Sequence, residues 1–336
     1  IATFFAGAGG LDLGFTQAGF NCIWANEYDG EIWETYQKNH PNTFLDKRSI
    51  TDISADEVPD CDAIIGGPPC QSWSEAGAMR GIDDKRGQLF YDFIRMIEAK
   101  QPKFFVAENV SGMLLDRHQK ARENILSMFD SCGYDVSFQL LNAVDYGVPQ
   151  DRKRVFFVGL RKDLNVSFSF PDPTTANNPK TLRIAIGDLD AMAEPVTFNQ
   201  SHKLLKTANH EYMTGGFSSI YMSRNRVRSW DEPSFTIQAG ARHAPIHPQA
   251  PKMQFVEQDV RIFVPEYEHL YRRLSVRECA RIQTFPDDFI FYYHKITAGY
   301  KMVGNAVPVE LAKQIALSIK KVLHNKDLND ALPPRT

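Results

Sequence analysis

Strand-like and helix-like segments alternate over the first ~160 residues of the chain, and this alternation restricts the fold more than any other feature. Short apolar runs, as at residues 63–65 and 104–107, have the length of buried strands, and the segments between them have a helical period. Such alternation is typical of a doubly wound α/β domain whose parallel strands bind ligands at their carboxyl ends. We predict strands at residues 1–5, 22–25, 63–65, 104–107, 136–141 and 155–160, and helices at 11–18, 31–38, 89–97, 121–129, 276–282 and 311–323.

Length, composition and cysteine content limit the class of protein. A chain of 336 residues with 43% hydrophobic and 24% charged residues is an ordinary globular protein of one or two domains. No apolar run approaches the ~18 residues that span a bilayer, and the first residues lack a signal-peptide pattern, so we expect a cytosolic protein that does not bind membranes. The five cysteines are widely spaced, which argues against a disulfide framework and against a zinc site, so we expect no metal.

The composition changes near Phe170, where prolines and asparagines interrupt the chain and the alternation stops. We therefore predict a second, smaller and irregular domain. The predicted parts are the sheet domain at residues 1–170, the irregular domain at 171–272, a return to the first domain at 273–324, and a disordered tail at 325–336.

A glycine loop follows the first predicted strand, and an acid ends the second. Gly7 and Gly9 let the backbone approach a ligand closely at the start of a helix. The spacing departs from GxGxxG, so a tight turn remains the alternative for this loop. Glu27, at the tip of the second strand, is the type of residue that binds ribose hydroxyls. Together the two features predict a nucleotide-like ligand.

Residues 66–74, GGPPCQSWS, place a thiol where the third predicted strand ends. Pro68 and Pro69 stiffen the backbone ahead of Cys70, which favours a reactive cysteine over the alternative of a small buried side chain. Glu108 follows the next strand, where an apolar sheet should raise the pKa of its carboxyl group and suit it to proton donation. A charge that only caps the strand is the alternative for Glu108.

Two runs of positive charge predict contacts with a polar ligand. Gln150, Arg152 and Arg154 alternate along a strand, so they share one face and suit an oxygen-rich ligand. In the irregular domain, residues 223–230 place several arginines on one side of an extended segment, and arginine commonly reads guanine. Solvated surface charge is the alternative for both runs. Residues 74–87, rich in glycine and charge, predict a mobile lid beside the thiol, or alternatively a surface loop.

Taken together, these segments resemble the cytosine-5 DNA methyltransferase family. The resemblance covers nearly the whole chain, and its motifs occur in the family's order. They are FAGAGG at residues 5–10, NE at 26–27, GPPCQ at 67–71, ENV at 108–110, QxRxR at 150–154, RExxRxQxFP at 277–286 and GNAV at 304–307. The variable region at residues 222–228 and 247–251 further resembles bacterial modification enzymes of GGCC sites.

The resemblance assigns the chemistry to four residues. Cys70 would add as a thiolate to C6 of cytosine, so that C5 can take the methyl group of S-adenosylmethionine. Glu108 would hydrogen-bond or protonate N3. Arg152 would hold the cytosine O2, and Arg154 would order the site beside it. Loss of the C5 proton and elimination of Cys70 would complete the reaction.

The resemblance also implies the class I S-adenosylmethionine-dependent methyltransferase fold, with S-adenosylhomocysteine as product. Where many members have an aspartate before Ile50, this chain has Ser49, whose hydroxyl can still accept a hydrogen bond from adenine. The residues that the resemblance assigns to the cofactor are Phe5, Gly7, Gly9, Glu27, Tyr28, Ile50, Pro68, Leu89, Asn305 and Ala306.

For the substrate, the resemblance implies double-stranded DNA with the target cytosine flipped out of the helix and the predicted lid closed over it. It also implies a bacterial, nucleoid-associated, monomeric enzyme of a restriction-modification system, with a cognate endonuclease for the same site. The residues predicted to contact DNA are Gln71, Ser74, Arg224, Arg226, Arg228 and Arg242.

Three other functions remain open from the sequence. An RNA cytosine-5 methyltransferase of the tRNA-modifying branch would share the thiol and the cofactor motifs, but the long variable region with its arginines favours DNA. A non-catalytic DNA-binding regulator is disfavoured by the presence of Cys70, Glu108 and Arg152. A dehydrogenase is disfavoured by the glycine spacing.

Overall fold

The computed structural model of the chain describes residues 1–69, 85–189, 192–197, 199–201 and 205–330. The main sheet consists of β1 (Ala2–Phe4), β2 (Trp24–Asn26), β3 (Phe44–Asp46), β4 (Ala63–Gly66), β5 (Phe104–Val110), β6 (Tyr134–Asn142) and β7 (Lys153–Arg161). Its strand order is β3-β2-β1-β4-β5-β7-β6. The strands from β3 to β5 are parallel, and β7 is antiparallel to both of its neighbours. The predicted α/β fold with a mostly parallel sheet is confirmed.

Helices cover both faces of this sheet. They are α1 (Gly10–Gln17), α2 (Trp33–Asn39), α3 (Lys85–Lys100), α4 (Gln119–Ser131) and, much later, α9 (Val309–Asp330). Helices α7 (Val276–Ile282) and α8 (Ile296–Asn305) pack together in a separate apolar cluster. Side chains alternate across β5, so Phe104 packs in the apolar cluster with α1 and α9, whereas Phe105 packs with α3 and α4. Both clusters are fully buried, which explains why β5 begins as an uninterrupted apolar run. No helix in the described ranges is long and apolar enough to cross a membrane.

Several details differ from the sequence-based expectations. Helix α8 is not among the predicted helices. The edge strand β3 is missing from the prediction, because it is short and leaves Phe44 64% exposed. Glu108 lies inside β5 rather than after it, because β7 pairs with β5 as far as Val110. Helix α3 already begins at Lys85, within the segment predicted as a lid. Helix α9 extends to Asp330 and so runs into the predicted disordered tail; residues 331–336 lie outside the described part.

Residues 171–272 contain only short elements. They are α5 (Leu182–Ile186), the parallel pair β8 (Glu194–Val196) and β9 (Glu211–Met213), α6 (Ser219–Met222), and the hairpin of β10 (Gln254–Glu257) and β11 (Val260–Ile262). A small apolar cluster around Tyr221, Val227 and Ile246 lies within this region. The region joins the sheet where Ser234 and the 149–151 segment exchange backbone hydrogen bonds. The exact domain boundaries stay a prediction.

The contact between α1 and α9 depends on a glycine. A Cβ atom at Gly14 would lie 2.5 Å from the Cβ of Ala312 and 2.6 Å from the carbonyl oxygen of Val309. Such distances force the backbones apart, because real Cβ atoms do not approach other atoms so closely.

We expect Gly14→Ala to lower the free energy of unfolding by about 2 kcal/mol through overpacking, although alanine favours a helix over glycine by roughly 1 kcal/mol. Urea denaturation checks this, with Gly216→Ala as control, because a Cβ at Gly216 meets no atom within 4 Å. Equal effects of the two substitutions would contradict the close packing of the two helices.

A buried charge cluster fixes the start of α7 to the irregular region. Glu278 accepts hydrogen bonds from both terminal nitrogens of Arg272, at 2.7 and 2.8 Å, and His247 Nε2 lies 3.4 Å from the same carboxylate. Burial raises the pKa of Glu278, but Arg272 and His247 outweigh burial and lower this pKa to about 2. Burial lowers the pKa of His247 to about 4. The folded protein therefore keeps Glu278 ionised and His247 neutral.

We expect acid to destabilise the protein through His247. The unfolded chain takes up a proton near pH 6.5, whereas the folded chain does so only near pH 4, so stability falls as the pH drops through this window. Between pH 7 and pH 5, this difference between the folded and unfolded pKa values of His247 lowers the free energy of unfolding by about 2 kcal/mol. Urea denaturation at both pH values should show a smaller acid loss for His247→Asn than for the wild type. An unchanged acid loss in the variant would assign the effect to other groups.

Candidate active site

A cavity of about 660 Å³ lies at the carboxyl ends of the parallel strands. Elements after β1, β2 and β4, the end of β5, and helix α8 contribute to its wall. Of the residues predicted for the site, those that line the cavity are Phe5, Gly7, Glu27, Pro68, Glu108, Asn305 and Ala306. The structure thus brings together side chains that are up to 300 residues apart in the sequence, as expected for the carboxyl edge of a parallel sheet.

The glycine loop after β1 has a backbone that favours glycine at two positions. Gly7 has φ 56° and Gly9 has φ 88°, both in the left-handed region. A Cβ at Gly7 would meet no atom within 4 Å, so a ligand can approach the backbone there. A Cβ at Gly9 would collide with the buried ring of His40, so Gly9 serves the packing of the loop and is not among the residues that line the cavity.

Glu27 connects the loops that follow β1 and β2. One carboxylate oxygen accepts a hydrogen bond from the Gly7 N–H and the other from the Asp29 N–H, each at 2.8 Å. Burial raises the pKa of Glu27, whereas these two hydrogen bonds lower it. Each oxygen retains a lone pair, so the carboxylate can still accept hydrogen bonds from a pair of hydroxyl groups.

An ion pair that the sequence analysis missed closes the cavity beside Glu27. Lys301 Nζ lies 2.5 Å from Asp29 Oδ2 and 3.4 Å from Glu31 Oε2. Asp29 and Lys301 both line the cavity. The two residues are more than 270 positions apart in the sequence, so no local pattern could reveal their pairing.

Glu108 forms an ion pair with Arg154, whose Nε lies 3.0 Å from Glu108 Oε1. Burial raises the pKa of Glu108, and the positive charges of Arg154 and Arg152 only partly offset this. A Cβ at Gly67 would lie 3.3 Å from Glu108 Oε2, so the glycine leaves room beside the carboxyl group. Asn109 donates a hydrogen bond to the carbonyl oxygen of Pro68 at 3.0 Å. This bond fixes the exit of β4 next to Glu108.

Arg152 lies in a different environment from Arg154. Its side chain is 1% exposed, and its terminal nitrogens donate to the carbonyl oxygens of Ile237 at 2.8 Å, Gly304 at 2.8 Å and Ala306 at 3.1 Å. Burial is the main cause that lowers the pKa of Arg152 to about 9. Arg152 does not line the cavity. Arg154 does not line the cavity either, but its ion pair with Glu108 connects it to a lining residue. The roles that the resemblance implies for the two arginines stay predictions.

Other predicted cofactor residues lie away from the cavity wall. Tyr28 is 72% exposed, and Ile50 is buried in the apolar cluster with α3, which Leu89 also contacts. None of these three lines the cavity. Ser49 instead caps the short helical turn that follows it.

Cys70, Gln71 and Ser74, together with the predicted lid as far as residue 84, lie outside the described residues. Their predicted roles therefore stay predictions. Pro69, which lines the cavity, is the last described residue before Cys70.

The predicted DNA-contacting arginines are found in two environments. Arg224 and Arg242 are exposed. Arg226 donates to the carbonyl oxygens of Tyr221 and Ile220 at the end of α6, and Arg228 lies 3.1 Å from Glu232. The last two guanidinium groups are thus engaged within the protein.

Comparisons with known proteins identify the family of the chain. A family model described as C-5 cytosine-specific DNA methylase matches residues 1–321. Type II methyltransferase M.MthTI of Methanothermobacter thermautotrophicus is 57% identical over 324 residues, which cover 96% of this chain and 97% of that protein. Type II methyltransferase M.NgoPII of Neisseria gonorrhoeae is 55% identical over 326 residues, which cover 96% of each.

Solved structures share the fold at low sequence identity. A prophage-encoded methyltransferase of E. coli has a TM-score of 0.73 at 24% identity, covering 96% of this chain and 99% of that one. A mutant of DNMT2 from Spodoptera frugiperda has a TM-score of 0.69 at 18% identity, covering 96% and 98%. The sheet with its flanking helices is therefore that of the class I methyltransferase fold.

The chain belongs to the C-5 cytosine-specific DNA methylase family and is a DNA (cytosine-5) methyltransferase. This assignment sets aside the dehydrogenase among the alternatives. Within the described residues, no group of three or more histidine, cysteine, aspartate or glutamate side chains is arranged to hold a metal ion.

We expect Arg152→Met to lower the free energy of unfolding by roughly 3 kcal/mol, because three buried carbonyl groups lose the hydrogen bond from its guanidinium group. Arg183→Met is the matched control, since its ion pair with Asp231 is exposed and such pairs contribute less than about 1 kcal/mol. Chemical denaturation of both variants checks this. A negligible cost for Arg152→Met would contradict its structural role.

Proposed function

We propose that this chain transfers the methyl group of S-adenosylmethionine to C5 of a cytosine in double-stranded DNA, within the sequence GGCC. The observation that carries the proposal is that one cavity is lined by both Glu27 and Glu108. Glu27 follows β2 and Glu108 lies in β5, three strands away in the same sheet. A carboxylate suited to ribose and a carboxyl group suited to proton donation fit a nucleoside cofactor and a pyrimidine that react together.

The cavity fits the cofactor in size and in chemistry. Its volume of about 660 Å³ lies within the range of small-molecule sites. The free lone pairs of Glu27 suit the two ribose hydroxyls, and the open space above Gly7 admits close backbone contact. Phe5, Asn305 and Ala306 would complete the cofactor site. When bound, S-adenosylmethionine supplies a methyl group activated by its sulfonium charge.

Glu108 and Arg154 would activate the cytosine. Burial keeps the pKa of Glu108 raised, so its carboxyl group can hold a proton and donate it to N3. Arg154, 3.0 Å from Glu108, would hold the cytosine O2 beside it. Both contacts withdraw electron density from the ring and so favour addition of a nucleophile at C6.

The resemblance assigns that nucleophile to Cys70. Its sulfur would form a bond to C6, and C5 would then take the methyl group. A base would remove the C5 proton, and the ring would expel the Cys70 thiolate to restore its double bond. Because these atoms are inaccessible inside a duplex, the cytosine would have to flip out, and the predicted lid would close over it.

Recognition of DNA is assigned to the region of residues 171–272. Arg224 and Arg242 are exposed and free to contact guanine, and one bidentate contact discriminates bases by about 1 to 3 kcal/mol. Arg226 and Arg228 would have to exchange their internal contacts for contacts with DNA. The relatives at 57% and 55% identity bear the name type II methyltransferase, which supports a modification enzyme of a restriction-modification system. That it acts as a monomer beside a cognate endonuclease is part of the proposal.

We expect the wild type to transfer tritiated methyl from S-adenosylmethionine to the inner cytosine of GGCC in a duplex oligonucleotide. Cys70→Ser should abolish transfer. Glu108→Gln should lower kcat by roughly 100-fold or more, because the amide can donate a hydrogen bond but not a proton. Filter-bound radioactivity measures the rate, and permuted oligonucleotides provide the controls.

Other outcomes would redirect the proposal. Methylation of a different sequence would contradict GGCC as the recognition site but would support the proposed methyl transfer to DNA. Transfer to tRNA without transfer to any duplex would contradict DNA as substrate and favour the RNA alternative. Full activity of Cys70→Ser would contradict the proposed covalent bond between Cys70 and C6 of cytosine.

A further inference from the structure

Two side chains in the wall of the cavity have no part in the proposed chemistry. Arg117 and His118 belong to a short helical turn, Asp116–His118, that follows β5. Both residues line the same cavity as Glu108. They are therefore close enough to the site to contact a substrate bound there.

His118 is a buried donor without an acceptor. The side chain is 8% exposed, and its Nε2 accepts a hydrogen bond from Arg117 Nε at 3.0 Å. A neutral imidazole that accepts at Nε2 carries its proton on Nδ1. Nδ1 is buried and has no hydrogen-bond partner among the described residues. Because buried N–H groups are normally paired, this one is suited to an acceptor supplied by a ligand.

Arg117 supplies a positive charge next to this donor. Its side chain is exposed, and no carboxylate in the described part of the chain lies within ion-pair distance of it. From residue 111 to residue 122, Lys120 and Arg122 are also positive, and Asp116 is the sole acid. A guanidinium group beside a buried N–H is a favourable arrangement for an oxyanion such as phosphate.

The position of the pair indicates which anion it would receive. Neighbouring parallel strands lie about 4.8 Å apart, so the ends of β2 and β5 are separated by about 14 Å. Glu27 marks the cofactor side after β2, whereas Arg117 and His118 follow β5 beside Glu108. The carboxylate of a cofactor bound at Glu27 is thus disfavoured, and a phosphate of the DNA strand is favoured.

We propose that Arg117 and His118 form a phosphate-binding subsite for the backbone of the strand that carries the target cytosine. The subsite rests on the proposed function, because it needs DNA as substrate. It would hold a phosphate next to the flipped nucleotide and so position the cytosine against Glu108.

The test compares Arg117→Gln with the wild type on GGCC duplexes. The variant should raise KM for the duplex about tenfold with little change in kcat, and leave the Kd of S-adenosylhomocysteine unchanged. The slope of log Kd for DNA against log salt should become shallower by about 0.9, which corresponds to one lost phosphate contact. Lys103→Gln is the matched control, since this lysine precedes β5 at the opposite edge of the sheet.

Duplexes with a single methylphosphonate near the target cytosine locate the contact. At the contacted phosphate, the uncharged linkage should weaken duplex binding by the wild type. It should not weaken duplex binding by Arg117→Gln any further, because that variant has already lost the contact. His118→Leu, which removes the buried donor, should show the same non-additivity.

Several results would overturn the subsite. One is an unchanged salt slope in Arg117→Gln, and another is full additivity of the variant and the methylphosphonate at every position. A third is weaker binding of S-adenosylhomocysteine with unchanged DNA binding, which would assign Arg117 and His118 to the cofactor carboxylate. Failure of the wild type to methylate any duplex would instead contradict the proposed function itself, so the two failures are distinguishable.

Discussion

The hydrogen bonds of Arg152 join three parts of the chain. Arg152 directly precedes strand β7 of the main sheet. Its guanidinium group donates hydrogen bonds to the carbonyl oxygens of Ile237 in the irregular region and of Gly304 and Ala306 at the end of α8. Gln150 reinforces this junction through Gln283 and the Ile237 N–H. A Cβ at Gly304 would lie 2.3 Å from the backbone of residues 238–239, so the segments approach as closely as glycine allows. Arg152 and Gln150 together thereby hold the irregular region against the end of α8.

The antiparallel strand β7 places the two arginines of one short motif in different environments. Residues two apart on a strand face the same side, yet Arg152 precedes β7 and is buried among carbonyl groups, whereas Arg154 lies inside it opposite Val110. Pairing with β5 places Arg154 beside Glu108. The same pairing extends β5 and withdraws Glu108 from water, which is why burial dominates the pKa of its carboxyl group.

The sequence predicted much of the fold, because the apolar runs of a parallel sheet and its helices are local signals. Most of the buried strands and helices were found in this way, whereas helix α8 was not predicted. Strand β3 was missed because a three-residue edge strand has almost no pattern. The predicted end of the last helix was too early, since polarity near residue 325 indicates disorder but does not prevent a helix from continuing. Motif order identified Glu27, Glu108 and Asn305 as site residues, and all three line the cavity.

What the sequence determined by itself is the class of fold and the chemistry available to it, because residue types and their order along the chain are enough to define both. Only the tertiary structure decided which groups meet. The ion pair of Lys301 with Asp29 and the hydrogen bonds of Arg152 connect positions far apart in the chain. The burial of a His118 nitrogen that lacks a hydrogen-bond partner among the described residues is likewise specified by no local pattern. Such features depend on how strands and helices pack, so they become visible only when the chain is folded.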